Sequence, residues 1–149
     1  MIESLKALFG GRKAPEEKGD ASETAISIAA LLVEAALADE DYAEREKALI
    51  ARLLVSEFGV RESDAPSVLA EAERRQAEAV DLFRFSREVK SLPHDEKVRL
   101  IECLWRVALC DGDKDTWEDM LVRRVASLIH VEDVESGLAR QRVQKELGR

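Results

Sequence analysis

Residues 32–52, LVEAALADEDYAEREKALIAR, recur 72 positions later as LWRVALCDGDKDTWEDMLVRR, residues 104–124. Without a gap, eight positions are identical: Leu32/Leu104, Ala36/Ala108, Leu37/Leu109, Asp39/Asp111, Asp41/Asp113, Glu46/Glu118, Leu49/Leu121 and Arg52/Arg124. The apolar matches recur at helical spacing, while the acidic ones crowd into a short stretch between two such patterns. Each copy therefore reads as helix, acidic loop, helix. A chain that carries this unit twice is steered to an all-α fold, a compact bundle of about seven helices related by an internal pseudo-two-fold duplication. The repeated element is either the joint of that fold or its working site.

Nothing else along the chain competes with a helical reading. No stretch alternates apolar and polar residues with period two for more than a few positions, so strands are not expected. Ser22 to Thr24 is the expected start of a first long helix reaching Ala38, apolar nearly all round and thus suited to the centre of a bundle. A second helix, about 43–58, ends at Gly59, a suitable C-terminal cap. Ser63 or Asp64 can cap a third, with Pro66 in its first turn and a strongly charged outer face. Val80, Leu82, Phe83, Phe85 and Val89 mark a shorter fourth helix, closed by Pro93. The fifth and sixth, about 94–109 and 116–129, repeat the first two. A last amphipathic helix would bury Val134, Leu138, Val143 and Leu147.

At 149 residues the chain is expected to form one helical domain over 22–149, preceded by a short amphipathic segment and polar linker over 1–21. The segment Ile2, Leu5, Leu8 and Phe9, with Lys6, Arg12 and Lys13 beside it, suits weak peripheral contact with an anionic membrane, or docking on the domain or a sister subunit. The apolar run 25–38 is broken by Glu34 and is shorter than the roughly 20 residues of a spanning helix. With no secretory signal pattern in the first residues, a cytoplasmic location is expected, with the inner-membrane surface as an alternative.

Net charge is -8, unevenly spread: residues 1–13 carry +2 and residues 138–149 carry +3, which leaves -13 between them. Such a body repels phosphate backbones, so nucleic acid is a poor partner; cations and basic protein surfaces are better ones. Cys103 and Cys110 stand seven residues apart in one helical pattern. Seven residues of helix span about 10.5 Å, beyond the roughly 7 Å that a disulfide bridges. They read as two small apolar side chains on one face.

The sharpest local motif is Asp111-Gly112-Asp113-Lys114-Asp115. Carboxylates at alternate positions open an EF-hand loop, but Thr116 stands where that loop needs glycine and Val122 where it needs a bidentate glutamate. The first copy departs further, with Ala43 in place of the third aspartate and Ile50 in place of the bidentate glutamate. What remains is a looser set of hard oxygen donors, Asp39, Asp41 and Glu46 with Asp111, Asp113, Asp115 and Glu118, suited to calcium, magnesium or manganese. Gly112 and Asp115 make the second loop the better candidate. The competing reading is structural: Asp41 with Glu44, and Asp115 with Glu118, have the spacing of capping boxes.

The pattern Ala36-Leu37-Ala38-Asp39 to Glu46, repeated as Ala108-Leu109-Cys110-Asp111 to Glu118, resembles the TerB-like family over about residues 22–147. The family's namesake is the tellurite-resistance protein TerB, and related domains accompany J-domains in some membrane-linked co-chaperones. The resemblance implies a pseudo-symmetric bundle of about seven helices, a cytoplasmic bacterial setting and a non-enzymatic role in stress responses. It further implies metal binding at acidic clusters, its signature falling on Asp39, Glu46, Asp111 and Glu118. Glu40 departs from the family's glycine, which the second copy keeps as Gly112.

No reaction suggests itself. His94 and His130 stand at helix ends without a triad around them, and there is no phosphate loop, C-x-x-C pair or H-E-x-x-H helix. Trp105 suits the core, and Trp117 an exposed partner contact. The expected function is a binding or adaptor module with a protein partner, presenting duplicated carboxylates to a divalent cation. The alternative is a scaffold whose acidic residues only cap helices.

Overall fold

The computed structural model describes residues 15–38, 42–79, 83–110 and 116–148, without the side chains of 15–22, 83 and 116–118. Seven helices account for most of them, and no strand occurs among the described residues. They are α1 (Pro15–Leu37), α2 (Glu44–Phe58), α3 (Ala65–Glu78), α4 (Phe83–Val89), α5 (His94–Ala108), α6 (Thr116–Leu128) and α7 (Asp133–Glu146).

The first helix begins seven residues before the expected start, inside the stretch that reads as a linker. Proline is well suited to a first helical position, and the glutamates that follow favour the helix enough to carry it through Gly19. Between Ala25 and Ala36 only Glu34 is not buried. That half-buried carboxylate accepts a bond of 2.7 Å from Gln76 Nε2 on α3. An all-round apolar helix must be surrounded, and α1 packs against α2, α3, α4, α5 and α6.

The duplication is visible in burial as well as in sequence. Leu32 and Leu104 are both fully buried, Ala36 and Ala108 nearly so, and Ile50, Leu53 and Leu54 of α2 are matched by buried Val122, Val125 and Ala126 of α6. Filling each of the larger of these positions stabilises the fold by about 1.5–3 kcal/mol. The identical Arg52 and Arg124 are both exposed, and nothing in the structure explains them.

The symmetry extends beyond the repeated stretch. The central contact of the first half is α1 with α3, and of the second α5 with α7; α2 touches α3 as α6 touches α7. Each repeat is thus a three-helix unit, and α1 meets α5 between the halves. The turns after α2 and α6 return to equivalent carbonyls, the second by one residue fewer: Gly59 (φ 73°) and His130 (φ 67°) are left-handed, and the next amide, of Val60 or Val131, bonds back to Leu54 O or Ala126 O at 3.1 and 2.8 Å. Both valines are buried, which pins the exit of each helix to the core.

The last helix does not bury the stripe its apolar residues suggest. Ser136, Ala139 and Val143 face inward, whereas Val134 (70% exposed), Leu138 (48%) and Leu147 (41%) face solvent. Trp105 on α5 sets this orientation. Its buried Nε1–H is shared between Ser136 O at 3.1 Å and Ser136 Oγ at 3.2 Å, while the Arg140 guanidinium lies 5.2 Å from the ring centre. A buried indole N–H needs an acceptor, and a small polar residue on α7 supplies it.

Candidate functional site at the acidic loops

Of the seven carboxylates expected to hold a cation, Asp39, Asp41, Asp111, Asp113 and Asp115 lie outside the described residues, as does the side chain of Glu118. The helix bounds still place Glu46 and Glu118 alike, each as the third residue of the helix that leaves its loop. From that position a glutamate can reach back to the amide that precedes the helix.

Glu46 does so. The residue is 1% exposed, and its Oε1 accepts the Ala43 N–H at 2.9 Å. The expected pairing of Asp41 with Glu44 is therefore displaced by two residues. Ala43 is the residue before α2, so the reciprocal glutamate is Glu46, three residues on, and Glu44 is exposed. The other oxygen, Oε2, lies 3.6 Å from an Arg45 guanidinium nitrogen and 3.9 Å from the Cys110 thiol, which donates towards it. Cys110 is the residue immediately before the second loop. The exit of one acidic loop thus touches the entrance of the other, joining copies that are 64 residues apart at this contact.

Tyr42 fixes the same exit from the other side. Its hydroxyl donates to Glu73 Oε2 on α3 at 2.5 Å, and Lys47 sits 3.7 Å from that oxygen and 5.2 Å from the centre of the tyrosine ring. Burial, followed by the bond to Glu73, raises the phenol above its ordinary range. Copy two has Lys114 in the place of Tyr42, so this latch belongs to the first loop alone.

Glutamate in the third position recurs in α5 and α7. Glu135 Oε1 accepts the Glu132 N–H at 3.2 Å, and Oε2 lies 2.5 Å from His94 Nε2, which holds the Glu135 carboxyl below its usual range. Glu96 is fully buried, but the residue before its helix is Pro93, which has no N–H for it to receive. Sequence reasoning passed over Glu96 and the Tyr42–Glu73 pair; an acidic residue at helix position three behind a proline was the available signal for the first. Cys103 and Cys110 form no disulfide. Burial pushes the Cys103 thiol up to about 12, only partly offset by the nearby Arg106 guanidinium. His94 pairs with Glu135, and His130 stands in a left-handed turn with its side chain exposed.

Both loops, their flanking helices and their acidic spacing fall within one family description: the model for "Tellurite resistance protein TerB" matches residues 25–141. The chain belongs to the TerB family. No curated protein and no solved structure matches it. The TerB match begins in the buried part of α1 and ends within α7, so it spans both three-helix units. No helix among the described residues of this TerB domain is long and apolar enough to cross a membrane. Among those residues no three histidine, cysteine or acidic side chains converge as a metal site, so a cation here would depend on the loop carboxylates themselves.

Proposed function

We propose that this TerB domain is a non-enzymatic binding module of the cytoplasm whose two acidic loops act as one locus, presenting carboxylates to a divalent cation. The observation that carries this reading is the contact of Cys110 with Glu46, which brings the flanks of the two loops together. Were the loops, rich in like charge, as close as these flanks, they would stand so only at an electrostatic cost, which a bound cation offsets. The donor chemistry fits a hard ion. Asp39, Asp41, Asp111, Asp113, Asp115 and Glu118 would supply oxygens, and Glu46 one more, since its Oε1 is already taken by Ala43 N–H. A bound cation would neutralise the loops and fix the angle between the helices they join. A basic protein surface is then the kind of partner the cation-free state attracts.

Titrating calcium, magnesium or manganese while recording amide chemical shifts tests this. Calcium or magnesium should move resonances of both loops together, with a single saturation curve, and manganese should broaden both. Two independent curves would reject the shared locus. No response at millimolar metal would reject cation binding and leave the capping role of Glu46 as the function of the repeated glutamates.

A further inference from the structure

The two copies of the repeat differ in kind at the residue after their second aspartate, which is Tyr42 in the first and Lys114 in the second. The tyrosine, the single one in the chain, reaches from its loop to α3, where its hydroxyl donates to Glu73 Oε2 at 2.5 Å. A half-buried hydroxyl bonded to a carboxylate at that distance belongs among the stronger hydrogen bonds. Its anchor is itself held. Three residues further along α3, Gln76 donates to Glu34 of α1 at 2.7 Å, and Arg75 donates to Glu23 of α1 at 2.6 and 3.0 Å. The exit of the first loop is thereby tied, through α3, to the central helix of the fold.

What this tie controls follows from the bonds beyond it. The N–H that Glu46 Oε1 accepts at 2.9 Å belongs to the peptide group joining Tyr42 to Ala43, which is a rigid plane. Holding the Tyr42 side chain restrains that plane, and the plane orients the Glu46 carboxylate. With Oε1 so engaged, Oε2 is turned to the Cys110 thiol, 3.9 Å away at the entrance of the second loop. The series Glu73, Tyr42, Ala43, Glu46, Cys110 thus runs from α3 in the first unit to α5 in the second. Of the seven carboxylates expected to hold a cation, Glu46 is the one whose side chain is described, and it is the one that this series aims.

We propose that Tyr42 is a positioning residue of the loop locus: its bond to Glu73 aims Glu46 Oε2 at the second loop and so sets the affinity of the locus for a divalent cation. The inference rests on the cation reading above and adds that the two copies contribute unequally. The exit of the first loop is set in place by the protein itself, whereas lysine at position 114 has no phenol to make the same tie. Groups that orient a metal ligand from behind change affinity about 10–100-fold when they are removed.

Calcium and magnesium titrations of the wild type, Tyr42→Phe, Glu73→Leu and Glu73→Gln, followed by amide chemical shifts, are the test, with hydrogen exchange of the metal-free proteins beside them. Tyr42→Phe keeps the ring that Lys47 lies over and loses only the hydroxyl, so it should bind about tenfold more weakly. Glu73→Leu should weaken binding by a similar factor, and the double variant Tyr42→Phe/Glu73→Leu by no more than either change alone, because both remove the same bond. Glu73→Gln removes the same charge but keeps an acceptor, so it should bind more tightly than Glu73→Leu. In metal-free Tyr42→Phe the Ala43 amide should exchange faster while a core amide such as that of Leu104 keeps its wild-type rate, which separates local release from a loss of global stability. A wild type that binds and a Tyr42→Phe variant that binds equally well overturn the positioning role and leave the cation reading standing. Equal acceleration of Ala43 and Leu104 overturns the positioning role as well. A wild type that responds to neither ion at millimolar concentration overturns both.

Discussion

The Cys110 thiol lies 3.9 Å from Oε2 of Glu46, although the two residues belong to different copies of the repeat. Glu46 serves both sides of this contact: one oxygen caps its own helix and the other faces the second copy. Capping and charge are therefore separable by substitution.

Glu46→Gln keeps an acceptor for the Ala43 N–H and removes the charge; Glu46→Ala removes both and leaves a cavity. We expect Ala to cost about 1–2 kcal/mol and Gln less than about 1 kcal/mol, measured by urea denaturation without metal. Equal losses would mean that the charge, and not the cap, stabilises the loop exit. If the loops share a cation, both variants weaken its binding.

The cysteines should separate cleanly in reactivity. Thiolate is the reactive form, and burial holds the Cys103 thiol up to about 12, whereas Cys110 is half-buried at the edge of a loop. In the native protein at about pH 8, a chromogenic disulfide reagent should titrate Cys110 and leave Cys103 until denaturant is added. Saturating calcium should slow the Cys110 reaction if the loops close on the ion. Equal native rates for the two thiols would contradict the burial of Cys103.

The features that were legible in the sequence are those set by helical periodicity. Leu32 and Leu104 are buried as their spacing requires, and Gly59 ends α2 in the left-handed conformation expected of it. The inward face of α7 was not legible, because its key inward residue is polar: Ser136 is there to receive the Trp105 N–H, and no apolar pattern announces such a partner. Glu46 was legible as an acidic repeat position but not as the cap of its helix. The residue it caps is Ala43, whose side chain has no oxygen to mark the helix start. Likewise nothing in the spacing of Cys110 and Glu46 foretells that they touch, since that contact depends on how the two three-helix units pack.

Acid should weaken the domain through carboxylates held by arginine. Glu71 is brought down to about 2 by bonds from Arg74 and Arg75, and Glu23 and Glu146 lie below their ordinary 4.5 through Arg75 and Arg106. A carboxylate with a lowered folded value binds fewer protons when folded than when unfolded. Its contribution is complete above about 4.5 and is lost as the pH falls through the folded values towards 2. Arg75→Met removes the partner of Glu23 and one of the two on Glu71. The variant should be less stable at neutral pH and lose less on acidification over that window, as followed by thermal melts at stepped pH. A variant whose acid slope matches the wild type would show that these pairs do not set it.

The two left-handed turns provide a test of the pseudo-symmetry itself. Gly59 and His130 each precede the buried valine that closes its turn, His130 one residue earlier in the 72-residue register, but only glycine adopts φ near 70° without steric cost. For an L-residue with a side chain the left-handed conformation costs about 1–2 kcal/mol, against which a glycine loses roughly 0.5–1 kcal/mol through the freedom of the unfolded chain. The His130 side chain is exposed, so its removal should sacrifice little packing. His130→Gly should therefore stabilise the domain by about 0.5–1 kcal/mol, a rise of about 1–4 °C in melting temperature for a chain of this size. Gly59→Ala should move the other way by a similar amount. A fall in melting temperature for His130→Gly would mean that the imidazole holds the α6 exit by a contact that outweighs its backbone strain, and that the two turns are alike in shape but not in cause.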